Sequence, residues 1–282
     1  MGVSDIGRDS GEPDDPPGGL TGLVEGVGSF TRRGFTSLGA SARFVAEALG
    51  GFRDVRTWAG QTVEQTVRLG VGSLPIAVFI AAFTGIVLAL LASYSFTGAV
   101  PLYFVGTLVE KTVTLELAPV LTGLALAGRV GANIAAELGT MRVTEQIDAL
   151  ETLCYDPLSF LVAPRVLAGV LMFPVVVAAA MVVAVVSAWG ASILLLHLST
   201  EEFTKGVRLF FQTFDVTYGL VKASSFGLAV TLIGSACGLR TSGGAVGVGR
   251  GATAAVVYSA FVILVLDAFW AVTWLLGREA VR

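Results

Sequence analysis

The chain has 282 residues, 54% of them hydrophobic and 14% charged, with a mean hydropathy of +0.80 and a formal net charge of −3. Soluble domains carry about 25% charged residues, so the composition excludes a water-soluble globular enzyme and indicates a polytopic membrane protein. So small a net charge argues neither for nucleic acid nor for a strongly acidic partner.

Residues 1–19, rich in Gly, Pro and Asp, read as a disordered tail without the apolar core of a signal peptide. Within 20–70, Leu23, Val27 and Phe30, then Phe44, Val45, Leu49 and Phe52, recur at helical spacing beside Arg32, Arg33, Arg43, Arg53 and Arg56. That pattern predicts an amphipathic helix lying in the membrane interface with its guanidinium groups near lipid phosphates. The remainder, 71–282, reads as a transmembrane domain. About 20 apolar residues cross a bilayer as a helix, and spans are predicted at 71–96, 113–136, 166–196, 216–239 and 252–276. Glu116 and Arg129 interrupt the second of these. With the N-terminus inside, the inner segments hold twelve Lys and Arg and the outer ones five. Positive charge stays inside, so the N-terminus is expected in the cytoplasm and the C-terminus outside.

Arg129, Glu137, Arg142, Glu145, Asp148, Glu151, Asp156 and Arg165 crowd the interval between the second and third spans, and charge on this scale is expected outside the hydrocarbon. Val143, Ile147 and Leu150 recur at i, i+4 and i+7, which predicts a short amphipathic helix over 143–153. Asp156-Pro157 stops it, because the residue before proline disfavours the helical region. Such a helix can pass a rigid-body push from a soluble motor to the spans on either side; the alternative is a solvated connector.

No GxxxxGK[ST] phosphate loop occurs, so nucleotide-driven work would need another polypeptide. The segment 243–251 lacks the GxGxxG order and follows a membrane span, and it reads as a tight inner loop. Cys154, Cys237 and His197 are too scattered for a metal site, and no residue set in the spans suggests catalysis. Glu116, Lys222 and Asp267 lie inside spans. An ionised group there costs at least ~2.5–3.5 kcal/mol, so the three are expected to form one cluster, either as a structural ion network or beside a headgroup pathway. Glu110 and Lys111 are expected as solvated charges in the outer interface. Gly123, Gly128 and the pair Gly234 and Gly238 would let helices approach closely.

The strings Gly128-Arg129-Val130-Gly131, AELGTMRVTEQIDAL from Ala136 to Leu150, Asp156-Pro157 and Pro164-Arg165-Val166-Leu167-Ala168 resemble the signature of the MlaE/YrbE family. These are permease subunits of ABC transporters that work with MCE proteins to move lipids between membranes, and weaker similarity runs from about Leu20 to the C-terminus. The resemblance implies an all-α membrane protein with an N-terminal interfacial helix, five transmembrane helices and a short cytoplasmic coupling helix between the second and third. It implies two permease protomers, identical or paralogous, an ABC ATPase dimer that holds the ATP and magnesium, a ring of MCE-domain protein, and a phospholipid or other hydrophobic lipid as substrate in the inner membrane. No cofactor is expected on this chain. The family's coupling helix maps onto 143–153, making Glu145, Gln146, Asp148, Ala149, Leu150 and Glu151 the expected ATPase contacts. Glu116, Lys222 and Asp267 fall on the expected lipid pathway, although Leu115 stands where some members have an arginine. A pocket lined by apolar residues of the first, second and fifth spans would take the acyl chains. Two rival readings are an ion-coupled secondary transporter using those three charges as a relay, and a non-transporting scaffold for an MCE assembly.

Overall fold

The computed structural model describes residues 55–96 and 100–279. The expected N-terminal tail and residues 20–54 of the expected interfacial region lie outside the described residues. Among the described residues all regular structure is helical: α1 (Val55–Ser95), α2 (Phe104–Val143), α3 (Gln146–Thr152), α4 (Leu158–Leu196), α5 (Thr200–Leu209), α6 (Thr213–Leu239) and α7 (Gly244–Glu279). Five of them, α1, α2, α4, α6 and α7, are long and apolar enough to cross a membrane, which makes this an all-α membrane protein.

The helices run past the limits that hydropathy suggests, for local reasons. α2 starts at Phe104, because Glu110 and Lys111, the charges that ended the apolar run, are accommodated inside the protein. α4 starts at Leu158 and takes Arg165 into its buried face. The glycine-rich segment is mostly helix: Gly243 and Gly244, at φ +88° and +67°, make the turn, and the glycines after them form the opening turns of α7. α1 already begins at Val55, so the described part of the expected interfacial region is continuous with the first span. At about 1.5 Å per residue its 41 residues exceed the ~30 Å hydrocarbon thickness. α5, absent from the hydropathy pattern, is opened by a capping box in which Ser199 Oγ accepts from the Glu202 backbone and Glu202 reaches back to the Ser199 N–H.

Lipid tails are as apolar as leucine, so helices in a bilayer associate through close packing over small residues. α1 crosses α4 at Gly85, where a Cβ would lie 2.0 Å from the Ala184 carbonyl oxygen. α4 crosses α6 where Gly169 meets Gly227. Gly234 and Gly238 lean on Gly131 and Leu138, so this pair forms an internal seam between α6 and α2, whereas Gly128 faces open space. Towards α5 the core gathers Val105, Val109, Val113, Met181 and Phe203. Towards α3 it gathers Leu126, Ile134, Leu138, Phe173, Phe226 and Ile263, with Ile147 of α3 among them. Phe79, Phe83 and Leu91 of α1 and Phe261, Leu264 and Phe269 of α7 are exposed, an outer surface suited to acyl chains.

Candidate functional site

Glu116 of α2, Lys222 of α6 and Asp267 of α7 meet inside the bundle. α2 passes through a widened turn of i→i+5 bonding at Val113–Leu117, a rare geometry that concentrates at functional positions. Just beyond it stands Pro119, which has no N–H to give the Leu115 carbonyl four residues back. Lys222 fills that vacancy, its Nζ lying 3.3 Å from Leu115 O. The same Nζ donates to Glu116 Oε2 at 2.7 Å and lies 2.5 Å from Asp267 Oδ1. Lys222 is fully buried, while the carboxylate side chains of Glu116 and Asp267 keep 42% and 25% of their surface open. The triad therefore has a buried cationic centre and a partly open anionic rim.

A ring of aromatic and hydroxyl groups fixes the lysine. Its ammonium stands 5.9 Å from the Tyr218 ring centroid, and Tyr218 meets Trp270 edge to face at 5.7 Å. Trp270 Nε1 donates to Ser225 Oγ, which donates to the Lys222 carbonyl. The buried Tyr218 hydroxyl has no partner and can receive or donate a further bond. Polar groups beside exposed apolar helix faces can hold a polar head while acyl chains stay in oil; the same groups can also pass a proton.

Two further charge groups were not anticipated. Glu110 and Lys111, expected as solvated, are packed inside: Glu110 is 3% exposed, and Lys111 pairs with the fully buried Asp215 at the start of α6. Towards α3, Arg68 and Arg165 share Glu137, at 3.1 and 3.0 Å. Arg165 is 3% exposed and also donates to the Leu161 carbonyl. Glu137 and Arg165 thus belong to the long helices α2 and α4, where mutual pairing offsets the cost of burying their charge. The only sequence signal for these pairs was charge at the two ends of apolar runs, with nothing to say which end meets which.

α3 is shorter than the expected 143–153 helix. Val143 closes α2, and Glu145, in the left-handed region at φ 61°, makes the corner before Gln146. Ile147 is buried and Leu150 half-buried, while Glu145, Gln146, Asp148, Ala149 and Glu151 are exposed. Arg142 Nη1 donates to Asp148 Oδ1 at 2.6 Å, tying α3 to the end of α2. Beyond it Leu153 and Tyr155 are 67% and 51% exposed, an apolar patch next to the acidic face that periodicity missed. The expected acyl pocket is not enclosed by the described residues of this chain alone: the void lined by Ile80, Thr84, Val113, Leu121 and Ala184 measures about 10 Å³, too small for a lipid tail.

Comparison with known proteins adds a consistent set of likenesses. The family profile described as "Permease MlaE" matches residues 62–273. A probable ABC transporter permease protein of Rickettsia typhi is 37% identical over 87% of this chain and 95% of its own length. One from Synechocystis is 40% identical over 76% and 81%. The chloroplastic protein trigalactosyldiacylglycerol 1 of Arabidopsis thaliana is 32% identical over 73% of this chain and 59% of its own.

Proposed function

Because the chain belongs to the MlaE permease family, we propose that it is the permease subunit through which an ABC transporter moves phospholipids or other hydrophobic lipids between the inner membrane and an MCE-domain protein. The observation that carries the lipid reading is the triad inside the spans, a buried Lys222 whose carboxylate partners stay open beside apolar helix faces. Ammonium or hydroxyl groups of a lipid head can donate to the Glu116 and Asp267 carboxylates while its chains lie against α1, α2 and α7. In this reading a second protomer, identical or paralogous, forms the other wall of that pocket. The name of the chloroplast relative contains that of a diacylglycerol lipid, which agrees with this substrate class.

In this scheme α3 lies in the cytoplasm and takes the push of a separate ATPase that binds ATP and magnesium. Glu145, Gln146, Asp148, Ala149 and Glu151 meet the ATPase, and Leu153 and Tyr155 add apolar contact area. The Arg142–Asp148 bond and the buried Ile147 make α3 rigid with α2, so displacement of α3 moves the helix that carries Glu116. Glu116→Gln tests the pathway: ATP-dependent transfer of a fluorescent phospholipid from proteoliposomes should fall about tenfold, the worth of one charged hydrogen bond, with the complex intact by size. Unchanged transfer in an intact complex contradicts the role of the triad. Transfer driven by a pH gradient without ATP would transfer the assignment to an ion-coupled carrier.

A further inference from the structure

At the α3 end, a cavity of about 90 Å³ opens between α1 and α2, lined by Gln65, Arg68, Arg129, Asn133 and Glu137 among others. Its charge is unbalanced. Glu137 is shared by Arg68 and Arg165, and Arg129 has no carboxylate partner among the described residues. Two guanidinium groups, Arg68 and Arg129, thus line the cavity with one carboxylate, and that carboxylate is already shared with the buried Arg165. Arg129 projects from a second widened turn of α2, Ala127–Gly131, and reaches across to α1. Gly72 leaves it room: a Cβ there would lie 2.7 Å from Arg129 Nη2.

The depth of this cavity is informative. The apolar run of α1 begins at Val71, so Arg68, Gly72 and the Arg129 guanidinium stand at its edge. From Val71 to Ser95 the helix rises about 36 Å at 1.5 Å per residue, close to the ~30 Å hydrocarbon thickness. The cavity therefore sits at the boundary between acyl chains and headgroups, where lipid phosphates lie. Its volume holds several water-sized spheres, and arginine forks match phosphate oxygens in a planar, two-bonded geometry.

We propose that this cavity is a binding site for the phosphate group of a membrane lipid from the leaflet at the α3 end. Arg129 supplies the main charge, Arg68 a second guanidinium oriented by Glu137, and the Gln65 and Asn133 amides supply neutral donors. The site lies apart from the Lys222 triad and does not depend on the transport reading, since the surrounding leaflet itself offers the ligand.

The test is native mass spectrometry of the full chain, with whatever subunits co-purify, titrated with phosphatidylglycerol, with diacylglycerol of the same chains, and with inorganic phosphate. The expected result is a retained phosphatidylglycerol adduct that Arg129→Gln weakens about tenfold and Arg129→Lys weakens less. Diacylglycerol should not be retained, and millimolar inorganic phosphate should not displace the phospholipid. Equal retention by Arg129→Gln, or of diacylglycerol, overturns the proposal. Displacement by inorganic phosphate assigns the site to a free anion and overturns the lipid source. Should Arg129→Gln fail to assemble, Arg129→Lys and Asn133→Ala carry the test, and full retention by both overturns it.

Discussion

Lys222 shows how one residue reconciles a proline, two carboxylates and a bilayer. Its ammonium satisfies the carbonyl that Pro119 leaves without a donor and neutralises one of two acids. A buried ion group contributes little net stability, yet removing one partner leaves uncompensated charge and costs about 3–5 kcal/mol. Lys222→Met should therefore lower the thermal midpoint of the complex markedly. The triple variant Lys222→Met/Glu116→Gln/Asp267→Asn should recover most of that loss while remaining inactive in lipid transfer. A triple variant as unstable as the single one would mean that packing of the lysine stem, rather than charge, holds the site. That Glu116, Lys222 and Asp267 would meet was legible in the sequence, since three lone charges in oil have few other partners. The Glu110–Lys111–Asp215 and Arg68–Glu137–Arg165 groups were not. Their members lie at the edges of apolar runs, where solvation and burial leave the same local pattern and only the tertiary pairing separates them.

Among the elements, α3 and α2 act as one. The corner between them rests on Glu145 in the left-handed region, a conformation that costs a side-chain-bearing residue about 1–2 kcal/mol and glycine almost nothing. Glu145→Gly should therefore change stability by no more than about 1 kcal/mol, since relief of strain offsets the added backbone freedom. If Glu145 meets the ATPase, the same variant should lower lipid-stimulated ATP hydrolysis severalfold; hydrolysis equal to wild type would remove Glu145 from the contact. Periodicity located this short helix but misjudged its start, because Val143 fits the apolar spacing of α3 while belonging to the last turn of α2. The same limit applies to the glycine-rich segment, whose composition reads as a loop although only Gly243 and Gly244 turn and the following residues are helical. α5 escaped notice because its pattern is amphipathic and ten residues long, and its capping box lies among polar residues that hydropathy discards.

Across the whole molecule, three polar groups follow one another along an otherwise apolar bundle: Lys111–Asp215 towards α5, the Lys222 triad next to it, and the arginine-rich group towards α3. α2 contributes to all three and ends at the short helix through which a motor would act, so a push on α3 has a continuous helical route to the triad. The five spans were legible from hydropathy because about 20 apolar residues admit few other structures. The acyl pocket expected from the first, second and fifth spans is not enclosed by the described residues. The most direct test of the account is ATP hydrolysis by the co-purified complex in lipid nanodiscs, wild type against Glu145→Lys/Asp148→Lys, with assembly checked by size. An ATPase should co-purify, and the double reversal should abolish turnover or detach that subunit. An intact complex whose turnover ignores the reversal would contradict it.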